Sequence, residues 1–138
     1  MVRDYPKYKV AAVQAGPVYL DRPGYFDVNA TLAKACTAIE EAGKNGARLV
    51  VFPETFLPGY PHFSMGLQTM AEAGEFFHLW KQYLLNSPVV PGPETEKIGA
   101  AAKKAGCYVV IGINERDPEY DGRMYNSILF MGPHGEVM

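Results

Sequence analysis

The chain has 138 residues, which is one domain's worth of polypeptide and enough to bury a core of its own. Its 48% hydrophobic and 20% charged residues are typical of a soluble globular protein. A net charge of −2 with no Lys/Arg cluster argues against nucleic acid and anionic membranes as partners. No apolar run has the length of a signal peptide core or a membrane span, and two cysteines make no disulfide framework. We therefore expect a cytoplasmic protein.

Strand and helix patterns alternate along the chain. Residues 7–14 alternate and then turn apolar, which predicts a first, central strand. Asp27 is a good N-cap for a helix that runs to residue 41 or 42. An apolar run, Leu49 to Phe52, lies between a glycine and a proline and predicts a strand buried on both faces. The remaining predicted elements are helices at 71–85 and 93–105 and strands at 107–114, 124–130 and 136–138.

The order β-α-β-α-α-β-β predicts an α/β fold in which a mixed sheet has its helices on one face. The strand at 107–114 and the strand at 124–130 are joined by turn residues and should form an antiparallel hairpin. Strand, helix and strand at the N-terminus should form a right-handed βαβ unit.

A carboxylate, Glu54, comes directly after the predicted Leu49–Phe52 strand. In open α/β sheets, ligands collect beyond the carboxyl ends of strands. We expect Phe52, Phe56 and Tyr60 to surround Glu54 with apolar walls, which would suit a general base. On this local pattern alone, a solvated loop glutamate is the alternative.

The stretch from Gly46 to Pro61 resembles the first signature of the nitrilase family of carbon–nitrogen hydrolases. It has a glycine, two spacers, a short apolar run, Pro53-Glu54 and then Gly59-Tyr60-Pro61. The agreement extends from Val10-Ala11-Ala12-Val13-Gln14-Ala15 to Tyr125-Asn126-Ser127, and the Phe-Leu-Pro-Gly-Tyr-Pro ending resembles the nitrilase branch most. The resemblance implies that residues 1–138 are the N-terminal portion of an α-β-β-α sandwich, incomplete at its C-terminus.

The resemblance also implies a mechanism that uses a glutamate, a lysine and a cysteine nucleophile. Glu54 matches the glutamate, whereas the family's lysine and cysteine follow at positions beyond Met138. Cys36 and Cys107 are expected to be buried thiols rather than nucleophiles. The expected reaction is hydrolysis of a small nitrile to a carboxylic acid and ammonia. An aliphatic amidase, a cyanide-degrading hydrolase and a catalytically inactive binding module remain as alternatives.

Three further residues are candidates for the site. Tyr60 and His62 follow Glu54 on the same loop and are expected to bind substrate, and Asn126 is expected to be a buried amide that supports this loop. The histidines show no ligand spacing and no glycine-rich phosphate loop is present, so we expect neither a metal nor a nucleotide cofactor. The expected partners are a small nitrile or amide and either further copies of the chain or a complementing C-terminal chain.

Overall fold

The computed structural model describes residues 4–21, 25–65 and 73–138. The helices are α1 (Val28–Lys44), α2 (Ala73–Asn86) and α3 (Pro93–Ala105), with one short 3-10 helix at His62–Met65. The strands are β1 (Lys9–Ala12), β2 (Ala47–Val51), β3 (Tyr108–Arg116) and β4 (Met124–Met131). The predicted order of strands and helices is therefore confirmed; the first two residues of the helix predicted at 71–85 lie outside the described residues.

The four strands form one sheet in the order β1-β2-β3-β4. β1 and β3 both run parallel to β2, and β4 returns antiparallel to β3, which confirms the mixed sheet. The prediction that the first strand is central is wrong for the described residues, because β1 pairs with β2 alone and Val10 is 55% exposed. Likewise Val137 forms only an isolated bridge to Met131 where a further strand was predicted. An apolar run indicates that its side chains tend to be buried, but it does not indicate where in the sheet the strand lies.

The core lies between one face of the sheet and helices α1 and α3. Ile39 of α1 and Ile98 of α3 are fully buried there against Val50 and Ile111 of the sheet. Burial of each such side chain stabilises the fold by about 1.5–3 kcal/mol relative to exposure. The two helices also touch closely, since a Cβ added at Gly43 would lie 2.6 Å from the Ala105 Cβ.

Helices α1 and α3 leave the opposite face of the sheet uncovered in the described part of the chain, and we call it the open face. Its exposed apolar side chains are Val10, Val51, Tyr108, Ile128 and Phe130. An apolar surface of this kind is typical of a contact surface. None of the described helices is long and apolar enough to span a membrane.

Helix α1 begins where the sequence predicts. The Asp27 side chain accepts a hydrogen bond from the Ala30 N–H at 2.9 Å, which pairs one of the free donors at the helix N-terminus. Because α1 supplies one side of the core, this cap fixes where the helix starts relative to the sheet.

Asp27→Ala should therefore lower the free energy of unfolding by about 1 kcal/mol, as loss of an N-cap acceptor does. Asp27→Asn is the matched control, because it retains the acceptor oxygen and should unfold at nearly the wild-type denaturant concentration. Urea unfolding followed by circular dichroism measures both. Equal loss of stability in the two variants would contradict the capping role.

Candidate active site

The segment after β2 leaves the sheet and then returns to it. The Phe52 N–H donates to the Val110 carbonyl at 2.8 Å, as in a continuing parallel ladder. The ladder resumes at Leu57, whose carbonyl accepts from the Asn114 N–H at 2.9 Å. The chain runs five positions from Phe52 to Leu57, whereas β3 runs four from Val110 to Asn114. Residues 53–56 therefore project from the sheet as a bulge, which we call the Glu54 bulge.

The Glu54 bulge lies directly against Gly112 of β3. A Cβ added at Gly112 would lie 2.6 Å from the Glu54 Cα and 2.6 Å from the Thr55 nitrogen. Only a residue without a side chain allows the backbone to approach this closely. Sequence reasoning missed Gly112, although a lone glycine inside an apolar strand is a signal for close backbone approach.

Thr55 holds the backbone of the bulge in a strained conformation. Its φ of 42° lies in the left-handed region, which residues with a branched Cβ rarely adopt. The side chain is 2% exposed, and its hydroxyl has no hydrogen-bond partner within the described residues. Strain of this kind persists only where the surrounding structure fixes it, and it is concentrated at functional sites.

The Glu54 side chain extends from the bulge over β3 to reach β4. The Asn126 Nδ2 donates a hydrogen bond to Glu54 Oε1 at 2.6 Å, and Asn126 is paired with Asn114 in the β3–β4 ladder. The predicted contact between Asn126 and the Glu54 loop is thus present. The expected burial of Asn126 is wrong, because its side chain belongs to the open face and is exposed.

A cleft of about 520 Å³ surrounds this hydrogen bond. Its lining residues are Glu54, Thr55, Tyr60, Pro61, Trp80, Asn114, Gly122, Arg123, Met124, Tyr125 and Asn126. Aromatic walls are present as predicted, but Phe52 and Phe56 do not contribute to them. Those two rings lie 5.0 Å apart in the core, because the chain at the bulge directs them toward the helices instead. The Glu54 side chain itself is exposed in the described structure.

The two predicted substrate-binding residues occupy different places. Tyr60 lines the cleft, whereas His62 is exposed and packs its ring on Tyr60 with 4.8 Å between the ring centroids. The loop that carries both is held by Tyr83, whose hydroxyl donates to the Gly59 carbonyl at 2.8 Å. Burial is the main cause that raises the Tyr83 pKa, so this hydroxyl stays a neutral donor.

Arg123 is the only lysine or arginine among the described residues that line the cleft. Its guanidinium lies 4.2 Å from the Tyr120 ring centroid and 3.5 Å from Asp117 Oδ2. The Asp117 pKa is lowered mainly by a hydrogen bond from the Glu119 N–H and further by one from the Tyr125 hydroxyl. The Asp117 carboxylate therefore stays ionised. The cleft thus has one carboxylate, one guanidinium and three aromatic residues among those that line it. In residues 4–21, 25–65 and 73–138, no three His, Cys, Asp or Glu side chains are grouped to hold a metal ion.

Comparison with known proteins establishes the family. The sequence model of the family described as carbon-nitrogen hydrolase matches residues 9–138. The chain belongs to the carbon-nitrogen hydrolase family. A nitrilase from Paraburkholderia phymatum is 40% identical over 121 residues, which cover 88% of this chain and 32% of that protein. A cyanide hydratase from Botryotinia fuckeliana is 36% identical over 132 residues, covering 96% of this chain and 32% of that protein.

The fold agrees with solved structures of this family. An amidase from Nesterenkonia sp. superposes with a TM-score of 0.60 at 20% identity, over 94% of this chain and 40% of that one. The relatives named as nitrilases confirm the predicted nitrilase branch. The chain spans about a third of the length of the curated relatives it matches, 32% for the first of them.

Neither cysteine of this carbon-nitrogen hydrolase chain lies beside Glu54. Cys107 is fully buried just before β3, five residues from the Gly112 position where the bulge rests, which corresponds to about 16 Å along a strand. Cys36 is on α1, on the other side of the sheet. Desolvation by burial raises the pKa of both thiols, so neither is a ready thiolate.

Gly112→Ala should displace the Glu54 bulge, because its Cβ would clash with the backbone at 2.6 Å. We expect a loss of about 1–3 kcal/mol in unfolding free energy, as for an overpacked site. Gly16→Ala is the matched control, since a Cβ there meets nothing within 4 Å. Urea unfolding of both variants measures the difference. Wild-type stability in Gly112→Ala would mean that the bulge does not rest on β3 in solution.

Cys107 should be inert in the native chain. In a Cys36→Ser variant, whose remaining thiol is fully buried, reaction with the thiol reagent DTNB at neutral pH should proceed no faster than the protein unfolds. The same variant in guanidinium chloride, where the thiol is accessible, should react completely within the mixing period. Fast modification under native conditions would show that the Cys107 thiol is accessible, and Cys107 would then be a candidate nucleophile.

Proposed function

We propose that this chain supplies the proton-transferring carboxylate, Glu54, of an enzyme that hydrolyses a small nitrile to a carboxylic acid and ammonia. The observation that supports the proposal best is the Glu54 bulge itself. A strained backbone resting on Gly112 directs one carboxylate over the sheet into a cleft with aromatic walls. A solvated loop glutamate would need neither the strain nor the glycine beneath it.

The proposed chemistry needs a thiol, a carboxylate and an ammonium group. Glu54 accepts the proton of the thiol, and the resulting thiolate attacks the nitrile carbon. A sulfur–carbon bond forms, one carbon–nitrogen π bond breaks, and the nitrogen takes the proton from the Glu54 carboxyl to give a thioimidate, which returns Glu54 to the carboxylate. A lysine ammonium stabilises the negative charge that develops on that nitrogen.

Two water molecules complete the reaction. The first adds to the thioimidate carbon, and Glu54 passes both protons of this water in turn to the nitrogen. The carbon–nitrogen bond then breaks, ammonia leaves, the water oxygen becomes the thioester carbonyl, and Glu54 is again a carboxylate. The thioester that remains is hydrolysed by the second water, whose proton returns to the sulfur through Glu54, and the carboxylic acid is released. The net reaction consumes one nitrile and two waters, and Glu54 ends in the protonation state in which it began.

The lysine and the cysteine are assigned by this proposal to polypeptide outside the 138 residues. The positions of Cys36 and Cys107, one on α1 and one buried before β3, support that assignment. The open face supports it as well, since its exposed apolar side chains suit a covering layer that would carry the other two groups. By itself the chain is accordingly proposed to be inactive.

A nitrile is preferred to an amide as substrate on the strength of the relatives. The nitrilase from Paraburkholderia phymatum is 40% identical, whereas the amidase from Nesterenkonia sp. is 20% identical, which is informative about fold alone. Amide and cyanide substrates are therefore included in the assay as the competing outcomes.

The test joins residues 1–138 to the C-terminal remainder of the Paraburkholderia phymatum nitrilase and measures ammonia release from aliphatic and aromatic nitriles, amides and cyanide. Glu54→Gln in this hybrid should lower kcat by about 10²–10⁴-fold, the usual contribution of a general acid–base group. Glu119→Gln, which changes an exposed carboxylate on the β3–β4 turn, is the control and should retain wild-type rates.

Retained activity in Glu54→Gln would remove Glu54 from the mechanism. Ammonia release from a nitrile by the 138-residue chain alone would contradict the assignment of the lysine and cysteine to other polypeptide. Faster turnover of amides or of cyanide than of any nitrile would replace the proposed substrate class.

A further inference from the structure

We infer that Asn126 is a positioning residue that binds one oxygen of Glu54 and so leaves the other, Oε2, to exchange protons. This rests on the proposed function of Glu54 and adds a residue to it. The Asn126 Nδ2 donates a hydrogen bond to Glu54 Oε1, with 2.6 Å between the two atoms.

The position of Asn126 in β4 has no structural explanation within its own strand. The residues that follow it on the open face, Ile128 and Phe130, are apolar, and asparagine is unfavourable in strands. The polar residue interrupts this apolar row at the place where the Glu54 carboxylate arrives from 72 residues away in sequence. A strand designed only to pair with β3 would not need an amide there.

The Glu54 bulge does not depend on Asn126 for its backbone conformation. Backbone hydrogen bonds hold it on both sides, from the Phe52 N–H to Val110 and from the Asn114 N–H to Leu57. Gly112 supports it from below. Because the Asn126 bond joins two exposed side chains, its loss should cost little folding free energy, whereas the carboxylate would lose its fixed orientation. A positioning role thus differs measurably from a structural one.

Other polar and charged groups line the cleft as well, and they limit what the amide alone can do. From the bulge side the cleft is lined by Tyr60, and from β4 and its preceding turn by Tyr125 and Arg123, with Asp117 beside the Arg123 guanidinium. The side-chain hydrogen bond to Glu54 that the structure shows comes from Asn126 instead. Substituting Asn126 by aspartate keeps the shape of the side chain, removes the N–H donor and adds a like charge, so it tests donation rather than size.

The first measurement uses the 138-residue chain and needs no catalysis. In a ¹⁵N-labelled sample, the Asn126 side-chain amide, assigned by its disappearance in Asn126→Ala, should show one proton shifted downfield by the carboxylate. That shift should vanish in Glu54→Ala and persist in the control, Glu119→Ala. An Asn126 amide that does not respond to Glu54→Ala would overturn the inference.

The second measurement uses the hybrid enzyme described above. Asn126→Ala and Asn126→Asp should each lower kcat by about 10–100-fold, the size of effect that a misplaced catalytic group produces, while KM changes by less than about 3-fold. Asn126→Gln, which keeps an amide donor, should recover part of the lost rate. Thermal unfolding of the same three variants in the 138-residue chain, where Asn126 is exposed, should stay within about 2 °C of the parent, since a surface substitution costs little.

The outcomes separate the two proposals. Full activity in Glu54→Gln would overturn the proposed function and the inference with it. An inactive Glu54→Gln together with wild-type kcat in Asn126→Ala would overturn the inference alone. A fall in melting temperature that accounts for the lost activity, with no recovery in Asn126→Gln, would also overturn it, because Asn126 would then be structural.

Discussion

The close approach of the Glu54 bulge to Gly112 is the constraint on which the candidate site depends. If β3 carried a side chain at that position, the chain after β2 would have to leave the sheet at its end, as most strand-to-loop connections do. Because Gly112 has none, the backbone of Glu54 and Thr55 lies on the sheet itself. Ladder hydrogen bonds before and after the bulge hold the left-handed Thr55 in place, so strain and support occur in the same short segment.

The bulge changes which surface of the protein carries the carboxylate. A strand that ends normally presents its next residue at the edge of the sheet, where water reaches it from most directions. Glu54 instead lies over β3 on the open face, against Gly112, whose partner in β4 is the exposed, apolar Ile128. Polypeptide that covered this face would exclude water from Glu54, and a lower dielectric strengthens every electrostatic interaction of the carboxylate. The exposure of the Glu54 side chain in the described residues is therefore compatible with proton transfer in a site that other polypeptide encloses.

The sequence predicts the parts of this structure that depend on neighbouring residues. The cap at Asp27, the helix between Gly92 and Gly106 and the β3–β4 hairpin are encoded locally, and all three are present. The Leu49–Phe52 run likewise predicts a strand followed directly by a carboxylate, and Glu54 does follow β2. What periodicity could not reveal was that Phe52 turns into the core, that β1 is at the edge, or that Gly112 lies under Glu54. Each of these depends on contacts between residues that are far apart in the chain.

The polar groups of the open face are arranged so that a second layer can cover it at little cost. A buried amide without a partner costs about 1–3 kcal/mol, and two amides, Asn114 and Asn126, lie side by side on this face. Asn126 already has a partner within the described chain, Glu54 Oε1, and the Asn114 side chain is already largely buried. Covering the face would then leave Asn126 paired and would add little to the burial of Asn114. The Glu54 oxygen that Asn126 does not bind is the group that remains to interact with the covering layer, which is where a thiol and an ammonium group would have to approach.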